Sequence, residues 1–515
     1  MKSEKSLGVV KRKVRNLLGS ATVLALSALA LKAQVPAYDQ PYRPQVHFSP
    51  LKHWTNDPNG LVYFRGEYHL FFQYNPFGDE WGHMSWGHAV STDLLHWREL
   101  PVAIPEHDGV MIFTGSVVVD RDNTSGFCAP GSECLVAVYT GFSGTGAQTR
   151  QAQYLAYSRD RGRTWTEYSG NPVIDLHLAD FRDPSVFWDG DAHHWVMAVS
   201  LAAEHKIRFY SSPNLREWTQ LSDFGPAGDT AGAWECPDLL RIPASDGKGS
   251  IWALKVGLNP GAPQGGSGEQ YFLGTFDGTR FVPSKQRGAH GWTNYGKDDY
   301  CAISFNDLAP SQQPVLVGWM SNWQYASKLP TSPWRGQMSL PRRLSFIKDG
   351  AGLALVQEPV VAPLRTAGAP IWTVASQTLD GGKTRDLEAP YELDLQFGPS
   401  SQQTFGVRLY SDDRHWTEIG FDTAKAEFYI DRTRSGLSPT PDLAAKTTAP
   451  LVQSRAYDVA LIVDRCSVEA YAQEGTIAMT DLIFPDSRRS RVQIFSNQGT
   501  RPVVRGQFWK LRSIW

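Results

Sequence analysis

The chain has 515 residues, with 50 Lys and Arg against 52 Asp and Glu and a formal net charge of −2. That length exceeds what one compact core usually serves, so two domains are expected, and the near-neutral balance offers no basic surface for nucleic acid and no strong pull toward anionic lipid. Gly (46), Pro (33) and aromatic residues (18 Trp, 19 Tyr, 24 Phe) are plentiful while helix-favouring runs are scarce, which points to an all-β chain of short strands joined by turns.

At the N-terminus, Lys2, Lys5, Lys11, Arg12, Lys13 and Arg15 precede an apolar run from Leu17 to Leu31, with small residues at Ala28, Ala30 and Ala33. This is the pattern of an export signal over residues 1–33. The run is shorter than the roughly 20 residues of a spanning helix, so no membrane association is expected after cleavage. An uncleaved anchor is the alternative.

A repeat organises the next two-thirds. A strand-like run, a polar turn and a Trp recur over Trp86–Trp97, Tyr154–Trp165 and Ile207–Trp218, with a looser copy over Tyr271–Phe281. The closing Trp residues lie 68 and 53 residues apart, room for one four-stranded antiparallel sheet per unit. Radial repetition of such sheets is a β-propeller, and the count predicts five blades. In this reading the closing Trp packs between blades; one large sandwich is the alternative. Composition shifts near Ala362–Pro370, and beyond it Thr404–Tyr410, Ala426–Ile430 and Ala456–Val463 alternate apolar and polar residues. A β-sandwich fits them. The expected division is a signal over 1–33, a propeller over 34–362, a linker over 363–373 and a sandwich over 374–515.

Five cysteines show no paired Cys-x-x-Cys spacing, so no zinc site is expected. Cys128 and Cys134 flank a five-residue loop and are a disulfide candidate in an exported protein. Cys236, Cys301 and Cys466 read as small buried hydrophobes.

Three acidic stretches stand out: Trp54-Thr55-Asn56-Asp57-Pro58-Asn59-Gly60, Phe181-Arg182-Asp183-Pro184 and Trp234-Glu235-Cys236-Pro237-Asp238. Each alone has a bland reading, as a turn, a local ion pair or a paired edge residue. All three, however, occupy early-strand settings of successive repeat units, and propeller inner strands gather about one axis. Their acids would then share a central pocket with the equipment for cleaving a glycosidic bond: an ionised nucleophile, a proton donor and a clamp for sugar hydroxyls. Asp57 suits the nucleophile, because amides of an Asp-Pro-Asn-Gly turn would hold it charged. Glu235 suits the acid. Asp183, beside Arg182, is expected to stay ionised and serve as the clamp.

With these motifs go Trp81–His88, Phe113–Val117, Gly265–Phe272, Trp319–Tyr325, Pro330–Pro341, Ile430–Gly436 and Val463–Glu469. In this ordered series the chain resembles glycoside hydrolase family 32, the β-fructosidases, from about Pro44 to Trp515. The resemblance implies a five-bladed propeller with a C-terminal sandwich, hydrolysis with retention, and neither metal nor organic cofactor. It implies Asp57 as nucleophile, Glu235 as acid/base and Asp183 as transition-state stabiliser. Substrate contacts are implied for Trp54, Asn56, Gln73, Trp81, Phe113, Thr114, Arg182, Asp298 and Trp334, with Trp81 and Trp334 walling the pocket. The 265–272 and 319–341 stretches resemble levanases and exo-inulinases, so an exo-β-fructosidase acting on levan, inulin and sucrose is expected. A fructosyltransferase of the same architecture and a non-catalytic fructan-binding propeller are the alternatives. Thr55, Asn294 and Asp299 depart from the family's usual Met, Asp and aromatic residue.

Overall fold

Runs rich in Val, Phe, Tyr and Trp become strands along the whole described chain, and successive sets of four hydrogen-bond as antiparallel sheets. The computed structural model describes residues 38–284, 290–309, 311–350, 352–366, 368–379, 382–398, 404–497 and 502–515; the expected export signal lies outside them. Among the described residues, no helix is long and apolar enough to cross a membrane.

Five such sheets follow one another, and their first strands are His53–Phe64, Met111–Asp120, Phe181–Asp189, Ala233–Pro243 and Tyr300–Ser304. These five strands touch one another in a ring, which makes them the inner strands of a five-bladed propeller. Each gap between blades has its own apolar cluster. Phe71, Trp86 and Tyr139 fill the first gap, Met197 and Tyr210 the second, Trp234 and Phe272 the third, Leu273 and Leu316 the fourth, and Phe72 and Val317 the gap that closes the ring. Trp165 packs edge-on against Phe71, and Trp218 against the second cluster, as the repeat predicts. The short strand Trp334–Arg335 returns to pair in parallel with His53–Trp54, adding a strand beyond the inner strand of the first blade.

Two six-stranded sheets form the C-terminal sandwich. Their facing sides bury Phe397, Phe405, Phe421, Leu461 and Ile494 in one core. Residues Ala362–Leu364 form a short 3-10 turn with Leu364 buried, and Arg365 pairs with Glu392 at 2.7 Å.

Buried charge joins the two parts. His47 Nδ1 lies 2.8 Å from Asp464 Oδ2, and Arg432 donates to Asp298 Oδ2 at 2.6 Å. Gly296 marks how closely the backbones approach, since a Cβ there would sit 2.3 Å from the Thr480 amide nitrogen.

Candidate active site

Every inner strand carries a register shift at the same place. Two residues drop out of the ladder between Thr55 and Pro58, Ile112 and Gly115, Arg182 and Ser185, Glu235 and Asp238, and Tyr300 and Ile303. Such bulges bend a strand and re-aim its side chains. Aligned on them, Arg182, Glu235 and Tyr300 hold equivalent positions, as do Asp183, Cys236 and Cys301. The latter three share a left-handed backbone, with φ of 65°, 47° and 47°.

The bulges bring the three acids together. Cys236, the residue after Glu235, donates its amide to Asp183 Oδ2 at 2.9 Å, and its Sγ lies 4.0 Å from Asp57 Oδ2. Thr114 Oγ1 donates to Asp57 Oδ2 at 2.9 Å, leaving the buried Oδ1 without a partner. Glu235 is gripped at both oxygens: Arg182 Nε donates to Oε1 at 3.0 Å, and the Tyr300 hydroxyl donates to Oε2. Arg182 also reaches Asp180 at 2.7 Å.

The electrostatics differ from the sequence expectation. Burial, then the charge of Glu235, pushes the Asp57 carboxyl up to about 6, against the Thr114 hydrogen bond that pulls it down. Burial also raises Asp183, with Arg182 opposing and the charges of Glu235 and Asp57 adding to the rise. The Arg182 guanidinium turns to Glu235 and Asp180, which is why it does not keep Asp183 at an ordinary carboxylate value. Burial and the nearby Glu235 raise Tyr300 far above the usual phenol range, so its hydroxyl stays protonated as a donor. Nor is Asp57-Pro58-Asn59-Gly60 a turn, since it lies inside the bulged strand His53–Phe64.

Around the acids, Trp54 is buried and donates from Nε1 to Asn56 Oδ1 at 2.8 Å. Gln73 is buried and donates to the Ile112 carbonyl at 3.0 Å. Phe113 stacks on Phe142 at 4.7 Å and meets Trp81 edge-on at 6.1 Å; Trp81 is 45% exposed and forms an open lip. Two expected contacts lie elsewhere. Asp298 is fully buried and taken up by Arg432, the Tyr325 hydroxyl at 2.7 Å and the Leu482 amide at 2.8 Å, so it ties the propeller to the sandwich. Trp334 is fully buried under the Arg43 guanidinium, 3.6 Å from the ring centroid, and is no wall of the cleft. Asp299, in an aromatic position for the family, pairs with buried Arg342 at 2.8 Å.

Sequence reading missed Tyr300, although alignment of the repeat would have placed it beside Glu235. It also missed partly exposed Trp323, which stacks on Trp54 at 5.9 Å. Cys128 and Cys134 form the expected disulfide. Cys236 and Cys301, read as unpaired hydrophobes, form a second one, because equivalent bulges on adjacent blades point them at each other. Among the described residues Cys466 is free and buried. Asp57 Oδ2 and the two sulfurs lie within 4.8 Å of one another, but sulfurs joined in a disulfide have no thiolate to offer a metal.

Known proteins carry the same architecture. Residues 47–359 match the glycosyl hydrolases family 32 N-terminal domain, and 364–510 match the family 32 C-terminal domain. The chain is 40% identical to a levanase of Bacillus subtilis (strain 168) over 98% of its own length and 76% of that protein. It is 41% identical to an extracellular exo-inulinase of Aspergillus awamori over 93% of its length and 96% of that protein. A crystal structure of the Aspergillus awamori exo-inulinase superposes with a TM-score of 0.88 at 40% identity, covering 93% of this chain and all of that one. The chain belongs to glycosyl hydrolase family 32.

Proposed function

We propose that this protein is an exported, retaining exo-β-fructosidase that releases terminal fructose from levan or inulin and also cleaves sucrose. The observation that carries the reading is the meeting of Asp57, Asp183 and Glu235 from three different blades, with one Asp57 oxygen held by Thr114 and the other buried and unpartnered. Asp57 Oδ1 attacks the anomeric carbon while Glu235 gives its proton to the departing oxygen. Water then loses a proton to Glu235 and displaces Asp57, so two inversions give retention. Asp183 and Arg182 hold the sugar hydroxyls as charge develops on the ring. Export is supported by the basic and apolar N-terminal run and by the extracellular relative.

The test is product analysis on levan, inulin and sucrose side by side. Free fructose from the first time point is expected, and an early ladder of oligomers would overturn the exo assignment. Predominant longer oligomers at high sucrose would point to the transferase. Glu235→Gln is expected to lower turnover by about 10²–10⁴-fold, and Asp57→Asn by at least as much, with fructose binding by calorimetry largely kept. Unchanged turnover in both would remove the site.

A further inference from the structure

We infer that the Cys236–Cys301 disulfide is a positioning device of the active site, holding Glu235 and Tyr300 in register for proton transfer; the inference rests on the reading of Glu235 as acid/base. The disulfide links the inner strands of the fourth and fifth blades across 65 residues of sequence. Each cysteine directly follows one partner of a single hydrogen bond: Cys236 follows Glu235, and Cys301 follows Tyr300, whose hydroxyl donates to Glu235 Oε2. The cross-link therefore fixes both ends of that bond. It reaches the other acids too, through the Cys236 amide on Asp183 Oδ2 at 2.9 Å and the Cys236 Sγ at 4.0 Å from Asp57 Oδ2.

Why such a link is needed follows from the backbone. Both cysteines have a φ of 47°, in the left-handed region that a side chain with a Cβ rarely adopts. Both lie in bulges, where the ladder that would otherwise fix them is interrupted. Glu235 and Tyr300 are the last paired residues before their bulges, and a covalent tie between the strands holds the two residues that follow them, where the ladder bonds are missing. A proton donor displaced by about 1 Å loses roughly 10²-fold in rate, so small relaxations at this point are expensive. Both cysteines are buried, at 2% and 0% exposure, so the bond is shielded from casual reduction. An exported protein meets the oxidising conditions under which it persists.

The experiment separates positioning from mere stabilisation by changing the leaving group. Sucrose needs its departing oxygen protonated, whereas p-nitrophenyl β-D-fructofuranoside leaves as a stable phenolate and needs little help. Protein from an exporting host, unfolded without reductant, is expected to show one titratable thiol, that of Cys466; three would overturn the inference. The Cys236→Ala/Cys301→Ala double variant is expected to lose roughly 10- to 100-fold in kcat/KM on sucrose while the aryl substrate changes little. A Cys128→Ala/Cys134→Ala double variant, which removes the other disulfide, is expected to treat the two substrates as the wild type does. An equal loss on both substrates in the Cys236/Cys301 variant would mean a merely structural bond, and no loss would mean a dispensable one; either overturns the inference.

If that variant does not fold, the folded wild type is treated with a water-soluble phosphine. Two electrons pass to the disulfide, two protons complete the thiols, and the phosphine leaves as its oxide with oxygen from water. The same selective loss is expected once peptide mapping finds Cys236 and Cys301 reduced, and unchanged selectivity at that point overturns the inference. Glu235→Ala is run alongside. If it too lacks selectivity between the substrates, the acid/base reading has failed; if it alone is selective, only the role of the disulfide has.

Discussion

At the scale of single residues, the site is a problem of crowded negative charge. Three carboxyls share a buried space, and burial with mutual repulsion lifts Asp57 to about 6 and raises Asp183 as well. Asp57 must be ionised to attack, so kcat/KM is expected to fall as pH drops through about 6. Thr114 Oγ1 favours the charged form by donating to Oδ2 at 2.9 Å. Thr114→Val keeps the shape and removes that donor. It is expected to move the acidic limb of the pH profile upward by about one pH unit, the equivalent of about 1.4 kcal/mol taken from the carboxylate. A limb that stays in place would mean that another group governs it.

At the scale of elements, the bulged inner strand is what repeats, and it explains both the successes and the misses of sequence reading. The propeller was legible because Trp165 and Trp218 mark equivalent turns whose rings fill gaps between blades. The three acids stood out because each lies close to a Pro early in its repeat unit, although the bulges place them at three different positions of their strands. Asp57-Pro58-Asn59-Gly60 misled, since its residues favour turns when only local propensity is weighed. Sheet pairing overrides that propensity, and the bulge accommodates Pro58 at its margin, as other bulges accommodate Pro184 and Pro237, where no ladder amide is required. Tyr300 needed the repeat to be aligned blade by blade, and the partners of Asp298 and Trp334 depend on which domain or segment lies alongside, a neighbour that a single sequence does not encode locally. Gly60 tests the strand geometry. Its φ is 51°, and a Cβ there would lie 2.6 Å from Val117 Cγ2 and 3.0 Å from the Phe71 ring. Gly60→Ala is expected to cost about 2–4 kcal/mol in denaturant unfolding, from overpacking plus the left-handed backbone, and to lower turnover with it. A stability within 0.5 kcal/mol of wild type, roughly what a neutral surface change gives, would show that the strand can relax there.

At the scale of the whole molecule, propeller and sandwich are held together by ions that neither part could bury alone. His47 lies just before the first blade, with Nδ1 2.8 Å from Asp464 and Nε2 3.6 Å from Glu469, both on the sandwich. Burial by itself would lower His47, but the hydrogen bond to Asp464 and the nearby charges of Asp464 and Glu469 overcome it and raise the imidazole to about 9. The same pairing holds both carboxyls below their ordinary values, against burial. For His47 the folded value lies above the unfolded 6.5, so its stabilisation is complete below about 6.5 and drains away as pH rises to about 9. The carboxyls act in the opposite sense, stabilising above their unfolded values and failing as pH falls through the folded ones. Maximal cohesion between the parts is therefore expected from mildly acidic to neutral pH. Across pH 6.5–9 the wild type should lose stability with a slope of up to about 1.4 kcal/mol per pH unit from this one group. His47→Gln retains a donor toward Asp464 but takes up no proton, so its slope over the same window should be flatter and its stability at pH 6 lower. Urea unfolding of both proteins at half-unit pH intervals measures this directly, and parallel slopes would show that His47 is not the group through which alkali loosens propeller from sandwich.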